Sequence, residues 1–281
     1  MTEIKTTESD WFPRGTKIEE MQFPTEESER LRQQALMTQN VDKRYLSEIV
    51  TPNMHCLDVG CGPGLQTLLI GEIAKRGDVV GVDLNENLLE IARKVAKAVK
   101  RRNVEFVQGD ASKLRYENSI FDFAFSRLLF QHLEDSQQVL EEMHRILKPK
   151  GRVMIIETDG TWEINPNSEV FDEMFLAYEQ WIGAKGGNRK IGLKIGELLS
   201  RTHFENISRA KERFGFDRGF FKNVVLAIFP PIREQMIKDG VISQRNFDDN
   251  MRELENFAVS ELESLYLPVY YWTAIKPSSQ E

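Results

Sequence analysis

The sequence predicts a doubly wound α/β fold: a mostly parallel, seven-stranded sheet covered by helices on both faces, with helical cap insertions in its C-terminal half. Three observations carry this expectation. Between residues 54 and 158, short and nearly continuous apolar runs alternate with segments of helical period, which is how parallel strands buried on both faces read. The first run ends in a glycine-rich turn, Asp58-Val59-Gly60-Cys61-Gly62-Pro63-Gly64, that leads straight into a helix. At 281 residues, with 41% hydrophobic and 29% charged side chains, the chain has material for one large domain with insertions, and its composition excludes a disordered or fibrous protein.

The elements follow in order. Residues 1 to 25 are polar, with Trp11, Phe12, Pro13 and Pro24, and read as an irregular lead-in. Leu31, Ala35, Leu36, Val41, Tyr45, Leu46 and Ile49 recur at helical spacing until Pro52 closes the segment. Strands are expected at 54–59, 78–83, 104–110, 121–126 and 152–158, with helices at 65–75, after a cap at Asn85, and through Val139, Met143 and Ile146 to a Lys148-Pro149-Lys150-Gly151 stop. Beyond Thr158 come helices around 170–182 and 191–199, a strand at 204–214, a mostly helical stretch over 217–266 and a strand-like aromatic run at 267–277. The division expected is an N-terminal lead-in and helix (1–50), a binding core (51–158) and a C-terminal part (159–281) with cap insertions at about 160–187 and 217–266.

Composition removes several classes of function. Lys and Arg number 37 against 44 Asp and Glu, a net charge of −7, and such a surface repels phosphate backbones. The two cysteines, Cys56 and Cys61, cannot build a disulfide framework and lack partners for a zinc site, so no metal is expected and a reducing, cytoplasmic setting fits. The N-terminus has no apolar signal core, and no stretch approaches the roughly 18 apolar residues of a membrane helix, so no membrane is expected. The sequence is compatible with a homodimer.

In an open parallel sheet, ligands bind beyond the carboxyl ends of the strands where strand order reverses. Glycines after the first strand let the backbone approach a ligand, and Asp83 ends the second strand about twenty positions later, where an acid accepts from ribose hydroxyls. A nucleoside ligand is therefore expected. The dinucleotide fingerprint would need a third small residue where Leu65 stands, which weighs against a nicotinamide or flavin dinucleotide.

The runs LDVGCGPG, GVDLNENLLEIARK, VEFVQGDASKL and FDFAFSRLLFQHLEDSQQVLEEMHRILKPKGRVMI resemble, in type and order, the class I S-adenosylmethionine-dependent methyltransferases of the small UbiE-like type, with a Rossmann-like core. The likeness is strong over residues 54 to 157 and loose over 160 to 266. It implies S-adenosyl-L-methionine as cofactor and a small-molecule methyl acceptor. Residue by residue, it implies that Gly60, Gly62 and Gly64 contact the methionine moiety, that Asp83 and Leu84 take the ribose and flank the adenine, and that Asp110 and Ala111 lie at the adenine. Ser126 and Arg127 would hold the amino-acid end, with Arg30 and Gln34 closing over its carboxylate.

Methyl transfer requires alignment and exclusion of water, and a general base only where the acceptor carries a proton. His132 and Asp159 are the candidate catalytic bases, with Glu157 a third carboxylate at the strand ends. Each has a plainer reading, His132 as a structural hydrogen-bonder and Asp58 as a brace for the glycine loop. The place after the fourth strand reads FSRLLF, without the Asn/Asp-Pro-Pro-aromatic motif of amino-group nucleic-acid methyltransferases. The aromatic residues of the C-terminal part, among them Trp162, Phe171, Phe175, Tyr178, Trp181 and Phe229, suit both a helical core and an enclosed pocket. A nicotinamide-dependent oxidoreductase and a non-catalytic S-adenosylmethionine-binding protein are the alternatives.

Overall fold

Parallel pairing spreads in both directions from β1 (Cys56–Val59) in the computed structural model, which describes residues 23–278. On one side lie β2 (Val79–Asp83) and β3 (Val104–Gln108), and on the other β4 (Phe121–Arg127) and β5 (Leu147–Thr158). Strand β8 (Ser264–Ile275) returns antiparallel beside β5, and β7 (Glu205–Phe216) pairs antiparallel with β8. All seven expected strands are present. An eighth, β6 (Glu163–Asn165), was not expected; it pairs with Leu265 and its neighbours in β8 and is too short to show an alternating pattern. The lead-in expected over 1–25 lies outside the described residues except for its last three.

Period-two alternation divides each central strand between two cores. Val153 and Ile155 of β5 belong with Leu140 and Met143 of α4 (Ser136–Ile146) and Leu199 of α6 (Ile195–Arg201). Met154 and Ile156 belong with Leu46 of α1 (Glu26–Ile49), Leu69 of α2 (Leu65–Ile73) and Ala92 of α3 (Glu86–Ala98). Caps fix where the helices begin. The Asn85 side chain accepts from the N–H groups of Asn87 and Leu88 ahead of α3, and Thr25 and Ser28 exchange hydrogen bonds at the head of α1.

Two boundaries differ from expectation. The Lys148–Gly151 turn does not stop the chain between elements: it is absorbed as an irregularity in β5 between the pairings Phe121–Leu147 and Phe123–Arg152, with Lys150 at φ 64°. The stretch 217–266 is helical only to Ser260. It comprises the single turn α7 (Arg218–Phe220), a π-helical turn (Phe221–Val225), 3₁₀ turns, α8 (Arg233–Lys238) and α9 (Gln244–Ser260), after which β8 begins three residues before the expected Leu267.

Together with α5 (Glu169–Ala184), this stretch builds a third apolar core from Phe171, Met174, Phe221, Phe229, Phe247 and Leu254. Burying each of these large side chains contributes about 1.5–3 kcal/mol, enough to order short helices of weak intrinsic stability. Among the described residues, no helix is long and apolar enough to cross a membrane, and no cluster of three His, Cys, Asp or Glu side chains could hold a metal ion.

Candidate functional site

Strands β2 and β4 leave β1 on opposite sides, so strand order reverses at β1 and a crevice opens beyond its carboxyl end. A cavity of about 460 Å³ occupies it. Its floor is the turn after β1. Gly60 and Gly62 line the cavity with φ of 74° and 52°, and a Cβ on Gly62 would meet nothing nearer than Leu31 at 4.0 Å, so the bare backbone faces open space. Asp83 lines the same floor; one carboxylate oxygen accepts from Gly62 N–H at 2.8 Å and the other from Asn85 N–H at 2.8 Å. Beneath it, Asp58 is fully buried and accepts from Thr67 Oγ1 at 2.6 Å. Burial pushes its carboxyl up to about 7, with the Asp83 charge adding to the rise and Thr67 and Arg127 opposing it.

Arg127 lines the edge of the floor at the end of β4 and donates to Gln34 O at 3.2 Å and to Thr38 Oγ1 at 3.0 Å, which ties α1 across the cavity. Its Nε stands 3.5 Å from the buried Asp42, which also accepts from Thr38, Gln66 and Tyr271. Sequence reasoning missed Asp42. It sits inside an amphipathic helix, where an acid reads as solvated, and only the return of β8 with Tyr271 reveals its burial.

Above the floor, Arg30 lines the cavity and makes a two-pronged pair with Glu27, both contacts 2.7 Å. His132 lines it too. Burial, then the charges of Arg30 and Arg189, push its imidazole down to about 4, so it is neutral near pH 7. Of the aromatic residues expected in the cap, Trp162, Tyr178 and Trp181 line the cavity, whereas Phe171, Phe220, Phe221 and Phe229 are buried in the cap core.

The other expected site residues lie elsewhere. Gly64 does not line the cavity, and a Cβ there would stand 2.5 Å from Phe106 and 2.8 Å from Ala92, so the bare face of this glycine, at φ 79°, admits packing between α2, α3 and β3. Ser126 is fully buried and does not line the cavity, because the alternation of β4 puts it on the same face as Ala124, which packs in the core with α4 and α6. Asp159 lies off the cavity as well; its carboxylate accepts from Thr161 N–H and Oγ1 and from Tyr270 OH, which fixes the turn after β5. Glu157 accepts from Phe130 N–H at 2.6 Å, and burial pushes it up to about 8, so it braces the segment before His132 as a neutral acid.

Leu84, Asp110 and Ala111 lie beyond the cavity at the adjoining ends of β2 and β3, where Gly109 N–H donates to Asp83 O and Gln108 Nε2 to Leu84 O, both at 3.0 Å. Leu84 is 66% exposed. Asp110 accepts from Ser112 N–H and Oγ, and these bonds hold its carboxyl below the usual range.

Arg189 was also missed. It is 7% exposed, lines the cavity and follows the Gly186-Gly187-Asn188 turn after α5. The only signal was that turn, which reads as an ordinary helix stop.

Comparison with known proteins agrees with the layout. A family described as a methyltransferase domain matches residues 50–203. A demethylmenaquinone methyltransferase of Shouchella clausii (strain KSM-K16) is 36% identical over 123 residues, 43% of this chain and 50% of that protein. The chain thus spans about half the length of the curated relatives it matches. Among solved structures, the YcgJ protein of Bacillus subtilis aligns over 85% of this chain and all of its own, with a TM-score of 0.59 and 16% identity. The [4+2]-cyclase SpnF aligns over 88% of this chain and 84% of its own, with a TM-score of 0.58 and 20% identity. A cyclase on the same fold means that the fold alone does not select the chemistry.

Proposed function

The chain belongs to the methyltransferase-domain family, and from that premise we propose that it is an S-adenosylmethionine-dependent methyltransferase that alkylates a small-molecule acceptor. The observation that carries this reading is the pairing of a glycine turn, whose bare backbone at Gly62 faces open space, with the Asp83 carboxylate beside it on the cavity floor. These groups fit the cofactor. Asp83 accepts from ribose hydroxyls, Gly62 leaves room for the methionine portion, and Arg30 and Arg127, each paired with an acid of the protein, line the cavity as further donors to its carboxylate. The exposed Leu84 and the end of β3 at Asp110 supply an apolar face and an acceptor for an adenine.

S-adenosylmethionine supplies an electrophilic methyl group when bound. The protein's share is to align the acceptor and exclude water, and alignment alone is worth roughly 7–11 kcal/mol of barrier. Helix α1, tied down through Arg127 and Asp42, and the aromatic cap over Trp162, Tyr178 and Trp181 perform that enclosure. Neutral His132 lines the cavity and can take a proton from a hydroxyl acceptor as it reacts. The matched relatives are named for demethylmenaquinone, a small molecule with an apolar body, and an acceptor of that general kind suits the aromatic walls. The acidic surface argues for such an acceptor over nucleic acid, and two buried free thiols suit a cytoplasmic setting.

Calorimetric titration with S-adenosylmethionine and with NADH tests the proposal, followed by assay for S-adenosylhomocysteine on addition of phenolic and quinol acceptors. Saturable S-adenosylmethionine binding with turnover is expected. NADH binding alone would mark an oxidoreductase, and cofactor binding without turnover on any acceptor a non-catalytic binder.

A further inference from the structure

Arg189 is a buried cation in the aromatic roof of the cavity with no anionic partner. Its guanidinium lies 4.7 Å from the Tyr178 ring centroid and 5.1 Å from that of Phe175, and it makes no hydrogen bond or ion pair with any described residue. The acids whose charges reach this corner are already spent: Glu27 on Arg30 and Glu179 on Lys190, the latter at 2.7 Å. His132 beside it is neutral. Burial lowers the Arg189 pKa, the mark of a charge stripped of water without full repayment.

The backbone holds the residue firmly. Gly187 N–H donates to Ile182 O, Asn188 N–H to Gln131 O and Lys190 N–H to the Asn188 side chain, which locks the turn against the segment carrying His132. A rotamer-rich cation kept dry and fixed in place is costly unless something arrives to pair with it.

We propose that Arg189 binds the methyl acceptor, and that the acceptor carries a single oxyanionic group, such as a carboxylate, next to its apolar body. One uncompensated cation matches one negative charge, and the flanking Tyr178 and Trp181 rings match the apolar part. This rests on the methyltransferase reading, because it assigns the cofactor's own carboxylate to Arg127 and Arg30 and leaves Arg189 for the acceptor.

The test is calorimetric titration of the full chain with benzoate and with its neutral isostere benzamide, in the presence and absence of saturating S-adenosylhomocysteine. Benzoate is expected to bind about tenfold or more tightly than benzamide, and Arg189→Met to erase that preference while changing S-adenosylhomocysteine affinity less than about twofold. Arg189→Lys, which keeps the charge, should retain part of the preference and serves if the methionine variant does not fold. Equal binding of benzoate and benzamide by the wild type, or no binding of either, overturns the proposal. So does an Arg189→Met variant that loses S-adenosylhomocysteine affinity, since Arg189 would then serve the cofactor. Failure of the wild type to bind S-adenosylhomocysteine would instead remove the methyltransferase reading, and the benzoate arm without it still reads Arg189.

Discussion

The floor of the cavity and its roof treat polar groups in opposite ways. On the floor, each buried or half-buried charge is held by the protein itself: Asp83 by two backbone N–H groups, Asp58 by Thr67, and Arg127 by Gln34, Thr38 and Asp42. In the roof, Arg189 has only aromatic faces. A preorganised floor costs no rearrangement when a ligand binds, whereas an unpaired roof cation leaves an interaction for the ligand to complete. The difference suggests one region built for a constant cofactor and another for a particular acceptor.

The harshest way to break the floor is Asp42→Ala, which strips the partner from Arg127, Gln66 and Tyr271 at once. A loss of about 3–5 kcal/mol is expected in denaturant unfolding, as for one-sided removal of a buried charge. Gly64→Ala comes next, because the new methyl would collide with Phe106 and Ala92 at positive φ; about 2–4 kcal/mol should be lost. Gly62→Ala has open space and should cost about 1 kcal/mol of stability, yet impair cofactor binding more than Gly64→Ala does. Reversal of that order would mean that Gly62 is the structural glycine and Gly64 the binding one.

A smaller effect sharpens the comparison through pH. Glu157 is raised from 4.5 to about 8, so the native state holds a proton that the unfolded chain gives up. Its contribution to stability is complete below pH 4.5 and is lost as pH rises through 8; Asp58, raised to about 7, acts with the same sign. His132, lowered from 6.5 to about 4, acts oppositely, costing stability as pH falls from 6.5 toward 4. The wild-type thermal midpoint should therefore fall between pH 6.5 and 8.5, where His132 no longer contributes, and Glu157→Gln should flatten that fall. Parallel curves would show that Glu157 is ionised in the native state.

What the sequence disclosed divides along the same line. Strand order, the glycine turn and Asp83 were legible because they depend on local signals: apolar runs, glycines at a strand end and an acid at a fixed distance. Asp42, Ser126, Asp159 and Arg189 were not. Their surroundings come from elements far apart in the chain, such as Tyr271 closing on Asp42 and Tyr270 on Asp159. Gly62 and Gly64 could not be told apart, because a glycine that faces open space and one that admits a phenyl ring leave the same letter in the sequence. The strand β6 and the early start of β8 were hidden by their mutual pairing, which no single segment announces.

The central claim is that Asp83 and the glycine turn of the floor hold the cofactor and that Arg189 in the roof does not. Calorimetric titration of S-adenosylhomocysteine into the wild type, Asp83→Ala and Arg189→Met tests it directly. The account predicts tight binding to the wild type, a loss of about 10- to 100-fold in Asp83→Ala, as expected for removing a charged acceptor of hydrogen bonds, and no change beyond about twofold in Arg189→Met. Unchanged affinity in Asp83→Ala, or a loss in Arg189→Met as large as in Asp83→Ala, would contradict it.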